Sequence, residues 1–145
     1  MDPEEIKWLS KTFKKVEVFD GLTVSEMGEL IDQMEKHRFK KDAVIFKEGD
    51  PLDCFYIIYK GGVKIVKKKM MIRKVDVSIL RSGDFFGELA LLTYKPRTAS
   101  VVAIDDTTCF VLFKSTFQQL VKRNSSFKSK LQSTAFKRAL ELKKI

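Results

Sequence analysis

Apolar positions along this chain change their period twice. From residue 3 they fall at helical spacing: Ile6, Leu9 and Phe13 share one face of a helix that Asp2 caps and Pro3 opens, with Glu4 and Glu5 at its positive end. The stretch "FDGLT" breaks that helix. Thr23 and Glu26 form a capping box for a second one, whose apolar face is Val24, Met27, Leu30, Ile31 and Met34. Both helices are short, so each needs a larger surface to pack on.

From His37 the pattern becomes that of strands. "AVIFKEGD", "CFYIIY", "VKIVKKK", "VDVSIL", "TASVVAID" and "TCFVLF" are short runs rich in β-branched and aromatic residues. Turn signals separate them: Gly49-Asp50-Pro51, Gly61-Gly62, Ser82-Gly83-Asp84, Lys95-Pro96 and Asp105-Asp106. Strands this short and evenly spaced predict an antiparallel β-roll or jelly roll, not βαβ units. The helical stretch among them, "GELALL", is barely more than a turn. After Phe113 the helical period returns, with Ser115 and Gln118 as caps and Phe117, Leu120 and Val121 on one face. A polar patch, "RNSSF", precedes a last helix with Phe127, Leu131, Ala135, Arg138 and Leu142 aligned. The expected class is α+β in one domain over 1–145: helices over about 3–35, the roll over about 37–113 and C-terminal helices over about 114–143.

Composition narrows the function classes. The 145 residues are 44% hydrophobic and 32% charged, the balance of a globular chain with room for a real core. No apolar run is as long as a membrane span, and the acidic, amphipathic start is unlike a signal peptide, so the cytoplasm is the expected location. The two cysteines, Cys54 and Cys109, lie in apolar strands and read as buried hydrophobes. The single histidine, His37, has no nucleophile signature beside it and reads as structural or surface, so no catalytic and no metal-binding residues are assigned. The net charge is +9, with lysine spread across the chain and its densest runs in "KIVKKKMMIRK" and the C-terminal "KRALELKKI". It permits contact with nucleic acid, anionic lipid or an acidic partner without choosing among them. The first of those runs falls at an expected hairpin and reads as a solvated lysine face.

Candidate chemistry lies in "GDFFGELALLTYKPRTASVVA", residues 83–103, where Glu88 and Arg97 sit in apolar surroundings. A helix starting at Gly87-Glu88 presents the backbone N–H groups of Leu89, Ala90 and Leu91 at its positive end, an anion site that Gly87 lets a ligand approach closely. Arg97 follows a loop that Pro96 restricts, and its planar fork suits a phosphate. Glu88 would repel phosphate but accepts from a hydroxyl beside it. A 3′,5′-cyclic nucleotide offers both: a monoanionic phosphate and the ribose 2′-OH that its ring leaves free. A salt bridge across a turn, worth about 0–1 kcal/mol when exposed, explains neither the small neighbours nor the helix start.

These residues resemble a known family. "FGELALLTYKPRTASV" looks like the phosphate-binding cassette of cyclic-nucleotide-binding domains, a pattern of FGE(L/I)AL, a short loop and R(T/A)A(S/T)V. "GDPLDCFYIIYKGGVKIV" is similar to that family's Gly-Asp-x-x-Asp, strand, Gly-x-Val segment, and by element order residues 15–140 can be laid on it. The resemblance implies that Glu88 binds the 2′-OH, Arg97 the cyclic phosphate, and the backbone of Leu89 and Ala90 its remaining oxygens, with Gly87 at the entry. Thr98 and Ser100 then lie beside the base. Thr98 permits cGMP, but Ser78 stands where cGMP-selective kinase domains place an Arg, so cAMP is favoured. The helices from near Lys114 and about Ser126 correspond to the family's lid, with Phe127 and Leu131 as base contacts or as ordinary packing on the roll.

The function expected is that of a ligand-regulated signalling sensor, not an enzyme, with no cofactor apart from the ligand cAMP or cGMP. Its output would lie in a partner protein or an effector domain beyond the chain, since no kinase glycine-rich loop, DNA-reading motif or membrane span is present. Two other readings differ in class. A degenerate roll acting as a protein-interaction module is opposed by the intact Glu88 and Arg97. A nucleic-acid or membrane-surface binder rests on charge alone, without aromatic interleaving or a reading motif.

Overall fold

Two reciprocal capping arrangements start the first two helices. In α1 (Pro3–Lys15) Glu5 N donates to Asp2 Oδ1 at 2.9 Å and Asp2 N to Glu5 Oε1 at 3.0 Å. In α2 (Val24–Gln33) Glu26 N donates to Thr23 Oγ1 at 3.1 Å and Thr23 N to Glu26 Oε1 at 2.9 Å. Each satisfies backbone donors that a helix start leaves open. The computed structural model describes residues 1–15, 22–51, 53–69, 73–87 and 96–123, with 129 and 133, and leaves out the side chains of 15, 68, 69 and 73–77. Of the expected "GELALL" turn only Gly87 is among the described residues, of the "RNSSF" patch only Arg123, and of the last helix only Ser129 and Ser133, both helical and exposed.

Eight strands follow: β1 (Glu35–Phe39), β2 (Val44–Phe46), β3 (Cys54–Lys60), β4 (Gly62–Lys69), β5 (Arg73–Arg81), β6 (Phe85–Phe86), β7 (Ser100–Ala103) and β8 (Thr107–Phe113). They form two antiparallel four-stranded sheets, ordered β1-β8-β3-β6 and β2-β7-β4-β5. This is the α+β jelly roll that the apolar pattern predicts. Two strands were not expected. β1 reads "EKHRF", too polar for an apolar run, and is recruited as an edge by pairing Glu35 to Phe39 against Val111 to Thr107. β6 is only two residues long, too short to show a period.

The first sheet is covered on both faces, which is why β3 and β8 read as unbroken apolar runs. On one face Phe55, Ile57, Phe110 and Leu112 meet Leu9 and Phe13 of α1, Leu30 and Ile31 of α2, and Phe117 and Leu120 of α3 (Lys114–Arg123). On the other, Tyr56, Ile58, Cys109 and Val111 fill the roll with Val63, Phe86 and Val101. Alternation along each strand thus feeds two cores.

Two local expectations are corrected. Ile6 and Val24 lie at the outer ends of their helical stripes and are 40% and 83% exposed. Ser115 is not a cap: α3 begins at Lys114, directly off β8, and Ser115 lies in its first turn. His37 is on β1, half-exposed, with Nε2 3.3 Å from Glu35 Oε1, a surface position. Among the described residues no helix is long and apolar enough to cross a membrane.

Candidate functional site

Arg97 reaches its place through backbone bonds to a distant turn. Lys47 to Asp50 close a tight turn in which Asp50 N donates to Lys47 O at 3.0 Å and Lys47 N to Asp50 Oδ2 at 2.9 Å. Gly49 adopts φ +94° there, the left-handed value such a turn requires. The same turn grips Arg97 from both sides: Gly49 N donates to Arg97 O at 2.8 Å, and Arg97 N donates to Asp50 O at 2.9 Å. Ser100 adds to this clasp, its hydroxyl accepting from Glu48 N at 2.9 Å.

The side chain is fixed as firmly as the backbone. Arg97 is 5% exposed, with its Nη2 donating to Cys54 O at 2.9 Å and lying 4.0 Å from Asp53 Oδ1. The guanidinium carbon sits 3.9 Å from the centre of the Phe46 ring and 5.9 Å from that of Tyr56. Phe46, Tyr56 and Phe86 form an aromatic floor, with Tyr56 and Phe86 stacked at 4.7 Å and nearly parallel at 6°. Burial raises the Tyr56 hydroxyl above its ordinary value and pushes the Cys54 thiol up to about 12, so neither contributes a negative charge beside Arg97 at neutral pH.

Gly87 closes the site from the other side. It leaves β6 with φ +81°, and a Cβ built on it would meet Arg97 Nη1 at 2.8 Å, Cys54 O at 3.0 Å and Tyr56 Cδ1 at 3.4 Å. A side chain does not fit there, so the backbone entering the cassette runs directly against the guanidinium. A desolvated cation of fixed geometry beside a bare backbone is suited to an anion that accepts parallel charge-assisted bonds.

Of the residues singled out in the sequence, the structure brings Gly87 and Arg97 together. Thr98 follows Arg97 and is exposed, Ala99 is buried, and Ser100 opens β7 with its hydroxyl engaged by the Glu48 turn. Ser78 lies on β5, half-buried and paired with Ile65. Glu88, Leu89, Ala90, Phe127 and Leu131 lie outside the described residues. Sequence reading missed Phe46, the platform under the guanidinium, and the Cys54 carbonyl. The upstream Gly-Asp-x-x-Asp was its one signal for them: Gly49 and Asp50 hold the Arg97 backbone, and Asp53 with Cys54 borders its side chain. Among the described residues, no three His, Cys, Asp or Glu side chains gather as a metal site.

The jelly roll thus buries an arginine against a glycine at the end of a short strand. A family model, the cyclic nucleotide-binding domain, matches residues 36–124, and the chain belongs to that family. A cAMP-dependent protein kinase regulatory subunit of Pyricularia oryzae is 36% identical over 108 residues, 74% of this chain and 27% of that protein. A cGMP-dependent protein kinase of Plasmodium berghei is 36% identical over 110 residues, 75% of this chain and 12% of the relative. The regulatory domain of Toxoplasma gondii PKA, solved with cAMP, superposes with a TM-score of 0.79 at 27% identity, covering 95% of this chain and 51% of that one. The chain thus spans well under half the length of the curated relatives named.

Proposed function

We propose that this chain is a sensor module that binds a 3′,5′-cyclic nucleotide, with cAMP preferred to cGMP. The observation that carries the reading is the guanidinium of Arg97, buried over Phe46 and pressed against Gly87 at the mouth of the cassette. In this reading Arg97 clamps the cyclic phosphate, and the backbone N–H groups of Leu89 and Ala90 take its other oxygens. Glu88 accepts from the ribose 2′-OH, while Thr98 and Ser100 border the base. Ser78 in place of an arginine, and the cAMP-dependent kinase subunits among the relatives, support the choice of cAMP. Binding becomes a signal when it favours one placement of a movable part. The C-terminal helices, with Phe127 and Leu131 against the base, are the proposed lid, and a partner protein or a further segment reads the change.

The test is a calorimetric titration with cAMP, cGMP and 5′-AMP, paired with thermal unfolding. At a hundred times its dissociation constant the true ligand stabilises the fold by about 2.7 kcal/mol. The expected order is cAMP, then cGMP, with 5′-AMP weakest because its phosphate is a monoester dianion not tied to the 3′ oxygen. No response to either cyclic nucleotide overturns the reading in favour of an interaction module that keeps only the fold.

A further inference from the structure

Two tight turns of this chain are built alike, and one of them holds Arg97. The first is Lys47-Glu48-Gly49-Asp50, leading from β2 towards β3, and the second is Arg81-Ser82-Gly83-Asp84, leading from β5 to β6. In each, the aspartate carboxylate accepts from the backbone N–H of the turn's first residue at 2.9 Å. The aspartate N–H donates back to that residue's carbonyl, at 3.0 Å in the first turn and 2.9 Å in the second. The glycines are left-handed alike, with φ +94° and +93°. Each turn then makes the same clasp on one distant residue: the glycine N–H donates to its carbonyl, and the aspartate carbonyl accepts from its N–H. Gly49 and Asp50 hold Arg97 in this way at 2.8 and 2.9 Å, and Gly83 and Asp84 hold Ile58 at 2.9 Å in both bonds.

What is held differs. Ile58 is core, buried inside the roll with Val63 and Cys109. Arg97 is the buried cation of the candidate site. The first turn also joins the two groups that hold the Arg97 side chain. Phe46, under the guanidinium, is the residue before it, and Cys54, whose carbonyl accepts from Nη2, opens the strand after it. One closed turn therefore fixes together the backbone of the arginine, its ring platform and its carbonyl partner.

We infer that Asp50 is a positioning residue for the bound phosphate, an inference that rests on the nucleotide reading of the site. A carboxylate accepts hydrogen bonds and repels a phosphate at contact, so Asp50 is not a ligand for the anion. Its carboxylate is engaged by Lys47 N and locks the turn. The locked turn places the Arg97 fork, whose parallel bonds to a phosphate depend on where the guanidinium plane lies. Asp84 locks the second turn by the same bond but places core, which makes it the matched case without a ligand role.

Calorimetric titration with cAMP and cGMP, beside urea unfolding, tests it on variants of both turns. Asp50→Ala should bind about tenfold more weakly, the scale of one hydrogen bond to a charged group. Asp50→Asn keeps a side-chain carbonyl that can accept from Lys47 N and should recover most of that loss. Asp84→Ala removes the matching bond and should lower the urea midpoint while binding as wild type does. Gly49→Ala and Gly83→Ala form a second pair, because a Cβ at either glycine meets nothing within 4 Å and strains the turn alone. The first should lose affinity and the second stability without affinity, and this pair carries the test if an aspartate variant fails to fold. Wild-type affinity in Asp50→Ala or Gly49→Ala, equal affinity losses in the two turns, or no recovery in Asp50→Asn overturns the inference while the nucleotide reading stands. Wild type that binds neither cyclic nucleotide overturns that reading, and the role of Asp50 with it.

Discussion

Gly87 and Arg97 are packed so that a Cβ on residue 87 would lie 2.8 Å from Nη1 of the arginine. Two separate costs therefore attach to Gly87→Ala. The backbone is held at φ +81°, which costs an L-residue about 1–2 kcal/mol. The new methyl also displaces the guanidinium, because the Cys54 carbonyl at 3.0 Å leaves no retreat on its other side. The variant should lose about 1–2 kcal/mol of stability in denaturant unfolding. Its cyclic-nucleotide affinity should fall tenfold or more, the scale of one charge-assisted hydrogen bond at about 1.5–3 kcal/mol. Unchanged affinity in calorimetry would separate Gly87 from the binding site.

Arg97 uses its planar fork in two ways, donating to Cys54 O and lying over Phe46 at 3.9 Å. An ammonium can do only one of these well. Arg97→Lys should therefore behave more like Arg97→Ala than like wild type, with both losing at least a hundredfold in affinity. That follows from about 3–5 kcal/mol for breaking a buried charge pair with the phosphate. Phe46→Leu keeps an apolar contact but removes the ring quadrupole, worth about 0.5–2 kcal/mol, so affinity should drop about threefold to thirtyfold. Titrations of the three variants against wild type give the order, and a lysine variant with wild-type affinity would contradict it.

Legibility in the sequence followed the range of the interaction. Thr23 and Glu26 are three residues apart, so their reciprocal bonds could be read directly, and Asp2 could be read as a cap although the return bond from Glu5 was not. β3 and β8 announced themselves because both faces are buried. β1 did not, since a polar edge strand draws its conformation from β8 and not from its own pattern. Ile6 and Val24 show the same limit, because a helical stripe does not reveal which of its positions are covered. At the site, Arg97 and Gly87 were singled out from their chemistry, and the structure brings them together. The partner of the Arg97 fork was not, because it is a backbone carbonyl 43 residues away and carries no residue identity. Phe46 was hidden for a related reason: an aromatic in an apolar strand looks like core until the cation above it is seen.

Cys54 and Cys109 are free thiols inside the roll, 6% and 0% exposed, and burial pushes both up to about 12. The thiolate is the reactive species, and at pH 8 almost none is present. Neither cysteine should react with a disulfide reagent in the native protein over minutes, while both should react at once in denaturant. A rapid native reaction would mean that the roll opens far below its global stability.

Glu5 joins α1 to β1 across 31 residues of sequence, its Oε2 accepting from Lys36 Nζ at 2.7 Å while Oε1 accepts from Asp2 N. The hydrogen bond from Lys36, followed by that from Asp2, holds the carboxyl below its ordinary value of 4.5. A carboxyl depressed on folding adds stability that is fully present above the unfolded value and is lost as pH falls through the folded one. Protonation removes the charge that Lys36 bonds and takes one acceptor from the start of α1. Wild type should therefore be more stable than Glu5→Gln at pH 7, and the gap should narrow steadily below about pH 4.5. Urea midpoints of the two proteins from pH 7 to pH 3 give the comparison, and the ion pair makes no net contribution if the gap is constant across that range.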